Sequence, residues 1–254
     1  MDVYWWNEEP NFGDSMTPTL LRRLFNIAAR WAPLEHAFLT AAGSVIQWIT
    51  PVRKDPSNPI HVWGSGYIFP DEPAPAGGTV TYHAVRGPES AKLSQLPPET
   101  VYGDPGLLAS YVFARRRGIG HRIGIVPHLN HRGDSLVAYV ARSYDLVLID
   151  VTADPESVIS LISSCDFIFS SSLHGLIVAD SYRIPNLWIN ASPDPFGGRW
   201  KFYDYYGVFG FEMEPVLLTA DLDVRSYVQS VTESYARPGL DDICDALFRA
   251  FPCQ

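Results

Sequence analysis

Short apolar runs separated by polar, glycine-bearing turns recur from the start of the chain to about residue 190. Val3-Trp6, Phe38-Thr40, Ile60-Trp63, Thr79-Val85, Arg122-Val126, Asp145-Val151, Phe167-Ser170 and Asn186-Ile189 have the length and side chains of buried strands. Between them the period lengthens. Leu20, Leu24, Ile27 and Trp31 recur at helical spacing and predict a helix over 18–30 with Pro18 in its first turn. Further helices are predicted over Pro88–Leu96, Asp134–Ser143, Pro155–Ser164 and Leu176–Tyr182. This alternation predicts an α/β fold of mainly parallel sheet with helical crossovers. The glycine- and arginine-rich stretch Phe113 to Arg122 reads as a linker between two halves, 1–115 and 116–220. Residues 221–254 hold two amphipathic helices, Val224–Ser234 and Leu240–Phe251, broken by Pro238-Gly239 and expected to pack back on the body.

A chain of 254 residues, 46% hydrophobic and 19% charged, can bury a full core. Its net charge of -9 argues against charge-driven nucleic-acid binding, which calls for a basic face. Cys165, Cys244 and Cys253 show no C-x-x-C spacing, so neither a zinc site nor a disulfide framework is expected, and a reducing cytoplasm fits. No charged-then-apolar leader precedes Val3-Trp6, and the apolar runs are too short to cross a bilayer.

Ligands of open α/β sheets bind beyond the carboxyl ends of the strands, and the polar residues cluster there. The turns after the predicted strands carry Asn11-Phe12-Gly13-Asp14, Gly43-Ser44, Gly64-Ser65-Gly66, Arg86-Gly87-Pro88, Pro127-His128-Leu129-Asn130-His131-Arg132 and Ser171-Ser172-Leu173-His174. Unpaired N–H groups at helix starts beside small residues suit an anion, and Arg86 at a strand end adds a forked cationic partner.

In chain order, "NFGDSMTPTLLRRL", "VWGSGY", "AVRGPES", "YGDPGLL", "PHLNHRGD" and "SSSLHGLIVADSYRIP" resemble the polysaccharide pyruvyl transferase family, in particular its compact bacterial members. The resemblance covers roughly the first three-quarters of the chain. It implies two Rossmann-like halves facing a cleft, similar to the B-type glycosyltransferase fold, the first half serving the acceptor and the second the donor. It implies phosphoenolpyruvate as donor substrate, no separate cofactor or metal, and a glycan or lipid-linked oligosaccharide as acceptor. The product is a pyruvate ketal across two sugar hydroxyls. A lipid-linked acceptor would bring a cytoplasmic protein to the inner face of the membrane.

That chemistry needs converging cations for the donor, one proton donor and one acceptor. His174 is the candidate acid. Asp14, with Asn11 beside it, is the candidate for taking a proton from an acceptor hydroxyl. Gly13, Gly64, Ser65, His128, His131, Ser171 and Ser172 are candidate substrate contacts. Many family members carry arginine before the Leu-His pair, where this chain has Ser172, so Arg86, Arg132, Arg199 and Lys201 compete for the donor anion. Plain structural uses stand beside these roles. Asp14 is equally an N-cap, with Ser15 and Thr17 as rivals, and Arg86 a helix-entry surface residue. Gly103-Asp104-Pro105 reads as a cap only. His128, His131 and Asp134 have metal-like spacing; a solvated loop with Asp134 capping is the better plain reading, and contact of the histidines with donor phosphate or acceptor sugar is preferred to either. The tract Asn190 to Gly207 combines Arg199 and Lys201 with aromatic residues, for sugar binding, core packing or both.

Two other functions fit a similar architecture: a nucleotide-sugar-dependent glycosyltransferase, which competition by nucleotide sugars would reveal, and a non-catalytic glycan-binding relative, which a turnover assay would separate. A serine hydrolase lacks its G-x-S-x-G elbow and an NAD enzyme its G-x-G-x-x-G turn.

Overall fold

The computed structural model describes residues 1–52, 55, 57–71, 79–116, 120–191, 194 and 196–253. Among these, one five-stranded sheet contains β1 (Asp2–Tyr4), β2 (Arg30–Trp31), β3 (Leu39–Thr40), β4 (Ile60–Trp63) and β5 (Val80–Ala84), in the order β2-β1-β3-β4-β5. The other contains β6 (Ile123–Val126), β7 (Val147–Leu148), β8 (Phe167–Ser170), β9 (Asn186–Asn190) and β10 (Val216–Leu217), in the order β10-β9-β8-β6-β7. Every strand pairing is parallel. Counted from its own first strand, each sheet has the same order, 2-1-3-4-5. The chain therefore reverses direction across each sheet at one point, β1/β3 in the first and β6/β8 in the second, and such switch points leave a crevice beyond the strand ends.

The helices are α1 (Phe12–Phe25), α2 (Ile49–Val52), α3 (Pro88–Leu93), α4 (Ala109–Val112), α5 (Ser135–Ser143), α6 (Pro155–Ser163), α7 (Leu173–Ser181), α8 (Trp200–Gly207), α9 (Val224–Ser234) and α10 (Leu240–Arg249). Helices α2, α4 and α8 are not among those predicted, and two of the predicted ones start well before the sequence pattern places them. Helix α1 begins at Phe12, not Pro18, because Asn11 caps it by accepting the Gly13 N–H. Pro18 lies inside the helix, where it cannot donate to the Asp14 carbonyl. Asn26, left-handed at φ 56°, ends α1, and Arg30–Trp31 is an edge strand where the periodicity had extended the helix. Helix α7 begins at Leu173, not Leu176, directly after the extended Ser172. It can start so close to β8 because Gly175 has no side chain: a Cβ there would sit 2.4 Å from Ser170 Oγ and 2.9 Å from Val126 Cγ1. The predicted linker over 113–122 is described at its ends, residues 117–119 lying outside the described residues.

The strands divide between the halves, but the packing does not. One core joins Val3, Leu39 and Trp63 of the first half to Leu173, Ile177 and Trp188 of the second. Another joins Phe12, Met16 and Leu20 of α1 to Val126, Ile159 and Val178. The tail bridges both: α9 packs on the second sheet through Val224, while α10 packs on the first, where Trp63 Nε1 donates to the Leu247 carbonyl at 2.8 Å. Phe251 stacks on Phe25 with ring centroids 3.9 Å apart. Among the described residues no helix is long and apolar enough to cross a membrane.

Candidate active site

Both switch points open on one cavity of about 610 Å³. The first half contributes Tyr4, Trp6, Glu8, Glu9, Asn11 and Asp14 from β1 and the segment after it, Gly43 and Ser44 from the turn after β3, and Trp48 and Ile68. From the second half come His128, Leu129 and Asn130 after β6, Ser172, Leu173 and His174 after β8, and Phe196 and Lys201.

His174 lies in the first turn of α7, whose leading N–H groups have no acceptor within the helix. Its ring is held on three sides. Phe12 meets it edge-on with centroids 6.4 Å apart, and Gly13 lies so close that a Cβ there would fall 2.1 Å from Nδ1. Behind it, Nε2 lies 3.5 Å from Oδ2 of fully buried Asp104. The other Asp104 oxygen accepts the Gly106 N–H at 2.8 Å. Asp104 therefore caps the turn at 105–108, as its Gly-Asp-Pro setting predicts, and also backs the imidazole, which the sequence reading missed. Nδ1 is left as the nitrogen turned toward the start of α1.

Asp14 stands opposite, in the first turn of α1. It is not the cap that its plain reading made it; Asn11 is, and Asn11 Nδ2 also donates to Asp14 Oδ2 at 2.9 Å. Oδ1 lies against Gly43, where a Cβ would approach to 2.6 Å. Burial pushes the Asp14 carboxyl up to about 6, although His174 and Lys201 pull it the other way. A carboxylate that titrates near neutrality is suited to accept and return a proton.

Lys201, at the start of α8, is 7% exposed, and its Nζ lies 3.2 Å from both His128 Nε2 and the Phe196 carbonyl. Desolvation first, then Arg86, lowers its amine to about 8. His128 is held down to about 3 by burial first and then by Lys201. A neutral imidazole has one acceptor nitrogen. The Asn130 N–H meets Nδ1 at 3.2 Å and the Lys201 amine meets Nε2 at 3.2 Å, so the two compete for that one acceptor. A charged Lys201 is served by the tautomer whose Nε2 accepts, and a neutral one by the tautomer that keeps the Asn130 bond.

The other predicted contacts lie off the wall. Arg86 is 1% exposed: Nε donates to Asp204 Oδ2 at 2.9 Å, and the terminal nitrogens donate to Ser44 and to the Tyr67 carbonyl. It is neither the surface arginine nor the wall cation of the sequence reading, because Asp204 on α8 and the closely packed Gly66 hold its guanidinium inside the protein. Arg132 is exposed near Asp150, and Arg199 pairs with Asp194 and Glu214. Of the four competing cations, Lys201 lines the cavity. Gly64 packs on Pro105, and Ser65 Oγ donates to the Gly43 carbonyl, one layer beneath the wall. Ser171 accepts the His128 N–H at 2.8 Å and lies 3.3 Å from His131 Nδ1, tying the loops after β6 and β8 together. Asp134 caps α5. Among the described residues no group of three or more His, Cys, Asp or Glu is placed to hold a metal ion. Within the aromatic tract, Phe202, Tyr205 and Tyr206 are buried in the core, while residues 192, 193 and 195 lie outside the described residues. The cavity's rings are Tyr4, Trp6, Trp48 and Phe196.

Two like-ordered parallel sheets face one cleft at their switch points, with His174 and Asp14 on its opposite sides, and define an α/β protein of two Rossmann-like halves. Residues 43–193 match the polysaccharide pyruvyl transferase family, and the chain belongs to that family. It is 27% identical over 219 residues to the succinoglycan biosynthesis protein ExoV of Rhizobium meliloti (strain 1021), covering 84% of this chain and 66% of that protein. It is 35% identical over 121 residues to an uncharacterized protein of Acanthamoeba polyphaga mimivirus, covering 44% of this chain and 41% of that protein. The chain thus spans less than two thirds of either relative. Asp14 and Lys201 flank the segment matched to the family.

Proposed function

We propose that the chain transfers the pyruvyl group of phosphoenolpyruvate to two hydroxyls of a sugar in an exopolysaccharide or its lipid-linked repeat unit, forming a pyruvate ketal. The observation that carries this reading is the second-half wall, where the first turn of α7, His174 and Lys201 share one face of the cavity. Family membership and the likeness to a succinoglycan biosynthesis protein support it. The matching sheets and the recrossing tail agree with the B-type glycosyltransferase likeness, the second half taking the donor and the first the acceptor.

Phosphate and carboxylate of the donor bind Lys201 and the free N–H groups of α7. His174 gives a proton to the methylene carbon, which becomes the methyl group, and a sugar hydroxyl adds to the neighbouring carbon. Asp14 takes that hydroxyl's proton. Phosphate then leaves, and the second hydroxyl closes the ketal. The two hydroxyl protons balance the one placed on carbon and the one that departs with phosphate. No group beyond the donor itself is required. With a lipid-linked acceptor the protein works at the inner face of the membrane.

Calorimetric titration with phosphoenolpyruvate, against a panel of nucleotide sugars, tests the reading. Saturable binding of phosphoenolpyruvate is expected, weakened about tenfold or more by Lys201→Met. In His174→Ala, binding persists and turnover falls by about 10²–10⁴. Binding of a nucleotide sugar in place of phosphoenolpyruvate would replace this reading with a glycosyltransferase.

A further inference from the structure

The cavity sorts its charges by wall. Its carboxylates, Glu8, Glu9 and Asp14, all follow β1, whereas its nitrogen bases, His128, His174 and Lys201, all belong to the second half. The carboxylate wall also carries the rings of Tyr4, Trp6 and Trp48. Glu8 and Glu9 are exposed at the mouth, and among the described residues neither accepts a hydrogen bond nor pairs with a cation. Deeper in, Asp14 is nine-tenths buried and spends one oxygen on Asn11. Flat rings beside unpaired carboxylates suit a pyranose: the rings cover its C–H face and the carboxylates accept from its hydroxyls.

We propose that this wall is an acceptor subsite selective for an uncharged pyranose and closed to uronic acids and other acidic sugars. The proposal rests on the pyruvyl-transfer reading and deepens it. An acidic sugar here sets its carboxylate beside Glu8, Glu9 and Asp14, with no cation among the described residues of that wall to pair with it. It also opposes ionisation of Asp14, the group that must take the hydroxyl's proton. The donor brings its own anions to the opposite wall, so acceptor selection by charge does not weaken donor binding.

The test is a tryptophan-fluorescence titration of the full chain with methyl gluco-, galacto- and mannopyranosides, each against its uronate. At low ionic strength at least one neutral glycoside binds about tenfold or more tighter than its uronate. The gap shrinks in high salt and in the Glu8→Gln/Glu9→Gln variant, whose exposed substitutions leave the fold alone. Equal or tighter binding of the uronates, a gap that neither salt nor the glutamines change, or no saturable binding of any glycoside overturns the proposal. Phosphoenolpyruvate binding, measured by calorimetry on the same samples, reports separately on the donor reading.

Discussion

His174 and Asp14 are each placed by a residue with no side chain to interfere. His174 lies against Gly13, Asp14 against Gly43, and the helix that carries His174 starts where Gly175 lets it touch β8 and β6. The cost of the arrangement falls on Asp14. Its carboxyl titrates at about 6 when folded against 3.8 ordinarily, so the folded chain holds the proton more tightly than the unfolded chain. Stability therefore declines as pH rises from 3.8 to 6 and stays lowered above that. Asp14→Asn removes the penalty while keeping an acceptor for Asn11. Its expected outcome is a gain of about 2–3 kcal/mol at pH 8, vanishing below pH 3.8, together with loss of turnover, read from denaturant melts across pH. That His174 and Asp14 line the cavity was legible in the sequence, because strand-end turns and motif order mark their positions. Asp104 was not, since its local role as a cap is complete in itself and its contact with His174 is made only by the fold.

At the scale of elements, α8 joins the site to the frame. Its Lys201 faces the cavity while Asp204, on the same helix, accepts from Arg86 Nε, the Ser90 N–H and the Ser90 hydroxyl. Arg86→Met leaves that fully buried carboxylate without its cation, and a loss of about 3–5 kcal/mol is expected in chemical denaturation. Donor affinity should then fall through displacement of α8 rather than through a lost contact. Lys201 makes the opposite kind of contribution. Because its amine lies near 8, an anion bound beside it draws a proton from solvent. Uptake is expected to be largest at and just above pH 8, to fade toward pH 6 where Lys201 is already charged, and to be absent in Lys201→Met. Calorimetry in buffers of different protonation enthalpy measures it. The sequence showed a charged, aromatic tract here but not which residues face inward, because on an amphipathic helix of eight residues one turn decides between wall and core.

Across the whole molecule, strand positions were largely readable from apolar runs, with β4 and β8 matching residue for residue. Strands β2 and β10 were missed: each is two residues long at a sheet edge, too short to show a period. Least legible was the sharing of cores, since periodicity reports that a face is buried and not against what. That sharing leads to an expected single calorimetric unfolding transition, with van't Hoff and calorimetric enthalpies equal, where two independent halves would give two. The repeated strand order has a consequence of its own. A pair of identical five-stranded units meeting switch point to switch point would build two indistinguishable walls, able to hold two copies of the same ligand. Joining both units in one polypeptide releases each wall from copying the other, and the cleft can then receive unlike molecules on opposite sides and bring them into reaction.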